Sequence, residues 1–229
     1  YYEVYRMYPT LSVFLPNGDF AGIYLNGGNY NIIGKMALAG RNKKETWDQW
    51  YTGRFDLHPM KGLSVKGDYS WNRYSTVQKF HRKEMTQTFP EGRDPYLVET
   101  PNYVRNYNSN NIYQAINVWA EYKKSFNDVH NLSLMAGYNQ EEKTYASTSY
   151  TMTDLYDNEM PISDLAINYK ENEEGSDIWR VQGAFFRLNY DYRSKYLLEV
   201  NGRYDGSSKY AKHDRWAFFP SASVGWRIS

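Results

Sequence analysis

The chain has no cysteine among its 229 residues, no long hydrophobic run and almost no excess of charge of either sign. The lack of cysteine excludes a disulfide scaffold, a thiolate zinc site and a cysteine nucleophile. No stretch approaches 18 uncharged apolar residues, so no transmembrane helix is expected. With 27 basic against 26 acidic side chains and no basic block, binding to nucleic acid through phosphate neutralisation is excluded. Four scattered histidines, His58, His81, His130 and His213, form no metal-ligand spacing, and neither a metal nor another cofactor is implied. The opening YYEVYRMYPT has no charged and apolar leader pattern, and the chain reads as an excerpt that starts and stops inside a larger pattern.

Aromatic residues are abundant instead. Tyr 24, Trp 7 and Phe 10 make up 18% of the chain, which separates it from a disordered polar sequence despite a mean hydropathy of -0.80. Tyrosine at this density fits strands. Alternation with period two dominates, and it predicts seven strands: Trp47 to Leu57, Leu63 to Asn72, Ile112 to Tyr122, Leu132 to Tyr138, Ala184 to Tyr192, Tyr196 to Tyr204 and Trp216 to Ile228. Short turns at 58–62, 127–131 and 193–195 join the first six into three hairpins. Long polar excursions at about 75–111, 141–177 and 206–215 separate them.

Each predicted strand has one face free of charge. Those seven faces hold 38 residues with no Asp, Glu, Lys or Arg, where composition alone would place about nine. The opposite faces carry Asp48, Arg54, Asp56, Lys66, Asp68, Glu121, Glu141, Arg187, Asp191, Glu199, Arg203, Asp205 and Arg227. Aromatics cluster toward both ends of the charge-free faces. Trp47, Tyr51, Tyr69, Trp71, Tyr204 and Trp216 lie near the long connections, and Phe55, Tyr122, Tyr190, Tyr192 and Tyr196 near the short turns. Two aromatic girdles, with short turns at one end and long loops at the other, are the pattern of an antiparallel up-and-down transmembrane β-barrel facing a lipid bilayer. Seven strands cannot close such a barrel, so the whole of 1–229 is expected to form part of one barrel domain whose remaining strands lie elsewhere. A soluble sandwich would bury the uncharged face under a second sheet, and as a carbohydrate-binding module it is the alternative.

The run from Leu188 to Ser229 resembles the SusC/RagA family of TonB-dependent outer-membrane transporters of Bacteroidota. The resemblance is carried by Arg203-Tyr204-Asp205-Gly206-Ser207-Ser208, then Arg215-Trp216-Ala217-Phe218-Phe219-Pro220-Ser221, then Gly225-Trp226-Arg227-Ile228-Ser229. Weaker matches in the family's order include Pro16-Asn17-Gly18, Gly53-Arg54-Phe55, Lys61-Gly62-Leu63 and His130-Asn131-Leu132. The resemblance implies a 22-stranded barrel with a plug, a SusD-like surface lipoprotein as lid, and uptake of oligosaccharides or peptides driven by the TonB complex. The plug and the TonB-contacting segment do not match any part of this chain, and the role implied is transport, not catalysis.

Within that reading Asp205, Gly206, Ser207, Ser208, Arg215, Trp216, Phe219, Pro220, Gly225 and Trp226 are expected to be structural. Gly206 would supply a positive φ and the serines would cap backbone groups. A triad of Ser207, His213 and Asp205 or Asp214 lacks an oxyanion framework. The acidic stretch Asp154 to Asp177 lacks EF-hand spacing and reads as a solvated loop, with some apolar content for packing on a neighbour. Trp50, Tyr74, Tyr96, Tyr103, Tyr107, Tyr113 and Trp119 are the candidate ligand-binding set, because rigid amphipathic rings suit the faces of sugars.

Overall fold

A computed structural model describes residues 12–22, 24, 25, 28, 29, 31–88, 94 and 96–228. The opening segment read for a leader, the side chain of Tyr96 and the terminal Ser229 lie outside the described residues. In chain order the elements are β1 (Tyr24–Leu25), β2 (Gly28–Asn29), helix α1 (Ile32–Leu38), β3 (Gly40–Met60), β4 (Leu63–Arg82), β5 (Met85–Gln87), β6 (Tyr96–Val98), β7 (Tyr103–Phe126) and β8 (His130–Leu155). A 3-10 turn (Ser163–Leu165), β9 (Ala166–Tyr192), β10 (Tyr196–Ser207) and β11 (Trp216–Trp226) complete the chain. One antiparallel sheet has the order β11-β10-β9-β8-β7-β4-β3, a meander in which each long strand pairs with the next. The pairs β1-β2 and β5-β6 form two small separate sheets.

The described residues fall into two compact units. The first comprises the described parts of Tyr1–Thr46, Thr76–Ser109 and Ser147–Glu174, and the second those of Trp47–Ser75, Asn110–Ala146 and Gly175–Ser229.

The second unit contains only strands of the large sheet and their connections. The register of its last three strands keeps the two faces apart. Across β9, β10 and β11 the uncharged positions align as Tyr192, Tyr196, Trp226, as Leu188, Val200, Ala222 and as Ala184, Tyr204, Phe218. A slip of one residue would turn Arg187, Glu199 and Arg203 onto the uncharged face, so the pattern fixes the pairing. No helix or second sheet covers that face among the described residues of this unit, and Ala115 is its one buried apolar side chain. The soluble sandwich lacks its second layer.

Aromatic rings mark both margins of the uncharged face. Near the short turns His130 lies 4.9 Å from Tyr192, Tyr192 stacks on Tyr196 at 6.4 Å and Tyr196 on Trp226 at 6.4 Å. At the other margin Tyr51 meets Trp71 at 5.7 Å and Tyr204 stacks on Trp216 at 5.0 Å. From Tyr196 to Tyr204 the strand advances about 26 Å, or about 20 Å along a membrane normal at a barrel tilt near 40°. That is close to the height of a transmembrane apolar band.

The short turns are tighter than their sequences suggest. In Phe126 to Val129 the two central residues, Asn127 and Asp128, have φ of 52° and 54°, and Val129 N–H donates to Phe126 O at 3.2 Å. Arg193 and Ser194 repeat this at 53° and 52°, with Lys195 N–H donating to Tyr192 O at 3.0 Å. Both are type I′ turns, whose twist matches the hairpin. Arg and Ser are poor left-handed residues, and Asp191 supports the second turn by accepting from Ser194 N–H at 2.9 Å. The turns are also tied to their neighbours: Arg193 N–H donates to Val129 O of the adjacent turn at 2.6 Å, and Lys123 N–H of β7 donates to Gly62 O at 2.7 Å.

The first unit has a protein core. Ala21, Ile32, Met85, Val104 and Leu155 are buried in it, Val104 completely, together with polar Asn31, His81, Asn102, Thr151 and Thr153. Asn31 caps α1 by accepting from Gly34 N–H at 3.0 Å, and its amide donates to Val13 O and Ala21 O. Asn102 donates to Leu155 O at 3.1 Å and accepts from Leu155 N–H at 2.6 Å, so its carboxamide pairs with the chain as a strand would. Pro16-Asn17-Gly18 forms a turn, with Gly18 at φ 91° and its N–H donating to Leu15 O at 2.9 Å.

Two expectations change here. The excursions 75–111 and 141–177 are largely strand, because β4 runs on to Arg82, β7 begins at Tyr103, β8 runs to Leu155 and β9 begins at Ala166. Half of the acidic stretch is therefore β9, and only 156–165 lies outside the long strands. These portions have polar residues on both faces, which leaves no period-two signal even where main-chain pairing continues.

Gly62 → Ala should destabilise the β3-β4 hairpin. Its φ of +85° costs an L-residue about 1–2 kcal/mol, and a Cβ there would come 2.3 Å from Lys123 O. Slower appearance of the folded, heat-modifiable species on gels is the expected reading, and Gly62→Asn should be milder.

A second expectation concerns His81. Burial, then Lys83, hold its pKa below the ordinary imidazole value, and Nε2 has no hydrogen-bond partner among the described residues. Lys79 acts in the same direction, and Glu159 opposes it. The folded state thus binds a proton less readily than the unfolded one. Stability should be full above the unfolded pKa near 6.5 and fall as pH drops through the lower folded value. Thermal unfolding between pH 7.5 and 5.5 should show that loss, and His81→Gln should flatten it.

Candidate functional site

The charged face of the second unit is a lattice of short polar pairs. Lys66 meets Asp56 at 3.2 Å, and Asn72 donates to Asp48 at 2.5 Å. Asn117 donates to Asp68 at 2.9 Å, Tyr113 to Glu141 at 3.0 Å and Asn131 to Asp191 at 3.0 Å. Arg187 donates to Asn201 at 2.8 Å. Arg203 donates to Asp205 at 2.7 Å and to Asn139 at 3.1 Å. Most bridge adjacent strands, as expected for the inner wall of a barrel, where partners come from the next strand across. The lumen charges Asp56, Lys66, Asp68, Arg187, Arg203 and Asp205 thus have partners, and Arg54 has none among the described residues.

On the uncharged face several polar side chains also pair. Tyr69 donates to Gln114 at 2.8 Å, and Tyr138 reaches Gln140 at 2.8 Å and Gln182 at 3.0 Å. Tyrosine hydroxyls satisfy amides that hydrocarbon could not.

The ligand candidates separate into groups. Trp50 and Tyr113 meet on the charged face, ring centroids 6.0 Å apart and inclined by 56°, with Trp50 59% exposed. Trp119 lies elsewhere, beside Phe185: a Cβ built on Gly137 would come 2.7 Å from Trp119 Cβ and 2.4 Å from Phe185 Cζ. Tyr74 is 40% exposed and joins neither pair.

Tyr103 and Tyr107 belong to the first unit, where they line a cavity of about 300 Å³ with Gln78, Phe80, Arg105, Ser149 and Glu173. Phe80 stacks on Tyr103 at 5.4 Å and 24°, and the Arg82 guanidinium sits 4.5 Å from the Tyr103 centroid. Arg105 is held by Nε donating to Thr151 Oγ1 at 3.0 Å and by Glu171 at 3.5 Å. Sequence reasoning named the two tyrosines and missed the other five lining residues. They were within reach, since Gln78 and Phe80 share the parity of Lys66 and Asp68 along β4, and Arg105 that of Tyr113 along β7.

The C-terminal motif closes the β10-β11 hairpin. Gly206 pairs with Trp216, and a Cβ at Gly206 would come 2.7 Å from the indole. Its φ is not positive, so the expected left-handed turn is corrected to a close approach of backbone and ring. Ser208 accepts from Arg180 N–H at 2.8 Å through its hydroxyl, while its own N–H donates to Arg180 O. Ser207 Oγ accepts from Lys209 N–H, and Arg215 Nε donates to Tyr210 O. Phe219 pairs with Arg203, Pro220 with Gly202, Gly225 with Leu197 and Trp226 with Tyr196. His213 contacts Asp214 at 2.9 Å, Asp205 is taken by Arg203, and no hydrogen bond joins Ser207 to His213. Among the described residues no group of three acidic or histidine side chains could hold a metal ion.

The profile of the TonB dependent receptor-like, beta-barrel family matches residues 3–229. TonB-dependent receptor P3 of Formosa agariphila is 26% identical over 236 aligned residues, covering 99% of this chain and 22% of that protein. TonB-dependent receptor SusC of Bacteroides thetaiotaomicron is 48% identical over 44 residues, covering 19% of this chain and 4% of that protein. Among solved structures, the RagAB peptide transporter superposes with a TM-score of 0.76 at 20% identity, covering 93% of this chain and 23% of that one. The chain thus spans about a fifth of the length of the relatives that it matches end to end. An uncovered uncharged face, a paired polar face and a sequence match along nearly all of its length agree: this chain belongs to the TonB-dependent receptor β-barrel family, and is a SusC/RagA-type piece of that barrel.

Proposed function

We propose that the chain is wall and outer rim of an outer-membrane transporter that takes up oligosaccharides or peptides. The observation that carries this reading is the single-layer sheet of the second unit, with one uncharged face uncovered and the other a lattice of ion pairs and amides. Water would leave the first face unsatisfied, and hydrocarbon would not tolerate the second. The similarity to SusC and to the RagAB peptide transporter supports nutrient uptake, and supports a SusD-like surface lipoprotein as partner. Energy would come from the TonB complex through segments other than these. The chemistry asked of the chain is binding and passage, and the Asp205, Ser207, His213 and Asp214 cluster serves the hairpin. Trp50 and Tyr113 are proposed to guide ligand along the inner wall, Tyr74 and Trp119 to flank it, and Tyr96, Tyr103 and Tyr107 to meet ligand outside the bilayer.

Val118 tests the membrane reading. It lies on the uncharged face of β7, and Val118→Arg in the full-length protein should cost about 2–4 kcal/mol near mid-bilayer. Loss of the protein from the outer-membrane fraction is expected; normal assembly would sink the proposal, while Val118→Leu serves as the tolerated control. For the inner wall, the Trp50→Ala, Tyr113→Ala double variant should assemble and lower the uptake rate by about tenfold, the scale of one lost aromatic contact.

A further inference from the structure

We propose that the 300 Å³ cavity of the first unit is a binding subsite for an uncharged pyranose ring of a glycan ligand, which narrows the transport reading above and rests on it. Three independent features lead there.

The first is what the cavity cannot offer. Its lining residues stand on β4, β7, β8 and β9, all interior strands of the large sheet. Their main-chain groups are engaged by neighbouring strands, so a peptide could not add itself as a strand, and recognition falls to side chains alone.

The second is the pairing of flat apolar faces with planar polar groups. A pyranose has C–H faces that stack on aromatic rings and an equator of hydroxyls, each both donor and acceptor. Phe80, Tyr103 and Tyr107 supply the rings, and Phe80 and Tyr103 are already stacked on each other. Arg82 holds that stack from beside Tyr103 while donating to Pro101 O at 2.8 Å. Around the rings, Gln78 is oriented by its Nε2 donating to Asn42 Oδ1 at 2.8 Å, which leaves its own oxygen as an acceptor. Arg105 is fixed by Thr151, whose side chain is 2% exposed, and has further donors to give. Glu173 and Ser149 add an acceptor and a hydroxyl. Groups held in place before ligand arrives lose little freedom on binding.

The third feature is charge. Arg105 is offset by Glu171 at 3.5 Å, Arg82 by Glu99 at 3.5 Å, and Glu173 adds a further carboxylate. The site carries no surplus of positive charge, which disfavours uronates and sulfated sugars and leaves neutral glycans.

The test is calorimetric titration of the detergent-purified full-length transporter. The probes are maltohexaose, xylohexaose, laminarihexaose and mannohexaose as neutral glycans, with trigalacturonate and tetra-alanine as charged and peptide probes. At least one neutral hexaose should bind. Tyr107→Ala and Phe80→Ala should each raise its Kd about tenfold, and Glu173→Gln should raise it less. If Phe80→Ala folds poorly, Tyr107→Ala and Glu173→Gln, both at positions outside the buried core, decide the matter. Binding confined to trigalacturonate or tetra-alanine overturns the inference, as does binding of no probe, or a neutral glycan whose affinity none of the variants changes. A protein that assembles in the outer membrane yet takes only peptide or anionic ligand leaves the transport reading intact and removes this one.

Discussion

Hydrocarbon provides no partner for a backbone N–H or C=O, and that constraint organises everything else in the wall. A sheet can live there because each strand satisfies its neighbour, and the seven-strand meander does so everywhere except along β3 and β11. Those two edges need further strands, and the barrel family to which the chain belongs supplies the architecture in which they find them. Pro220 in β11 shows the same accounting at one residue. It has no N–H to give; it sits opposite Gly202, and its strand, β11, is an edge of the sheet among the described residues.

Given paired backbones, the side chains can divide. One face carries the leucines, valines and rings that lipid accepts, and the other carries charged groups most of which have partners on that face. The first unit solves a different problem. It builds a conventional core around Val104, Leu155 and Met85 and uses buried asparagines, Asn31 and Asn102, to bond main-chain groups of Val13, Ala21 and Leu155. The two kinds of interior explain why one sequence of low mean hydropathy can form both. Neither needs a long apolar run.

How much of this the sequence discloses follows the physics of each part. The seven strands of the sheet, the three hairpins and the uncharged faces are legible because lipid on one side and polar contacts on the other force a strict alternation, from Trp47 to Leu57 and again from Tyr196 to Tyr204. The extensions of β4, β7, β8 and β9 are not, because with water or protein on both faces Thr, Ser, Asn and Glu serve equally at odd and even positions. For the same reason Tyr103 and Tyr107 stand out by residue type alone, while Phe80 and Arg105, which share their cavity, are reached only by carrying the parity of β4 and β7 onward to where the alternation fades. Gly206 is legible as part of a motif but its reason is not, since sequence cannot distinguish a glycine needed for φ from one needed to let an indole lie close.

The aligned register of β9, β10 and β11 also governs how such a protein can change over generations. A single codon gained or lost inside one of these strands exchanges its two faces from that point to the next turn, exposing arginine to lipid and leucine to the channel. Gains or losses of two preserve the faces, and the loop at 208–215 can absorb either. Divergence in length should therefore accumulate in the connections, while the wall drifts only by replacement, residue for residue.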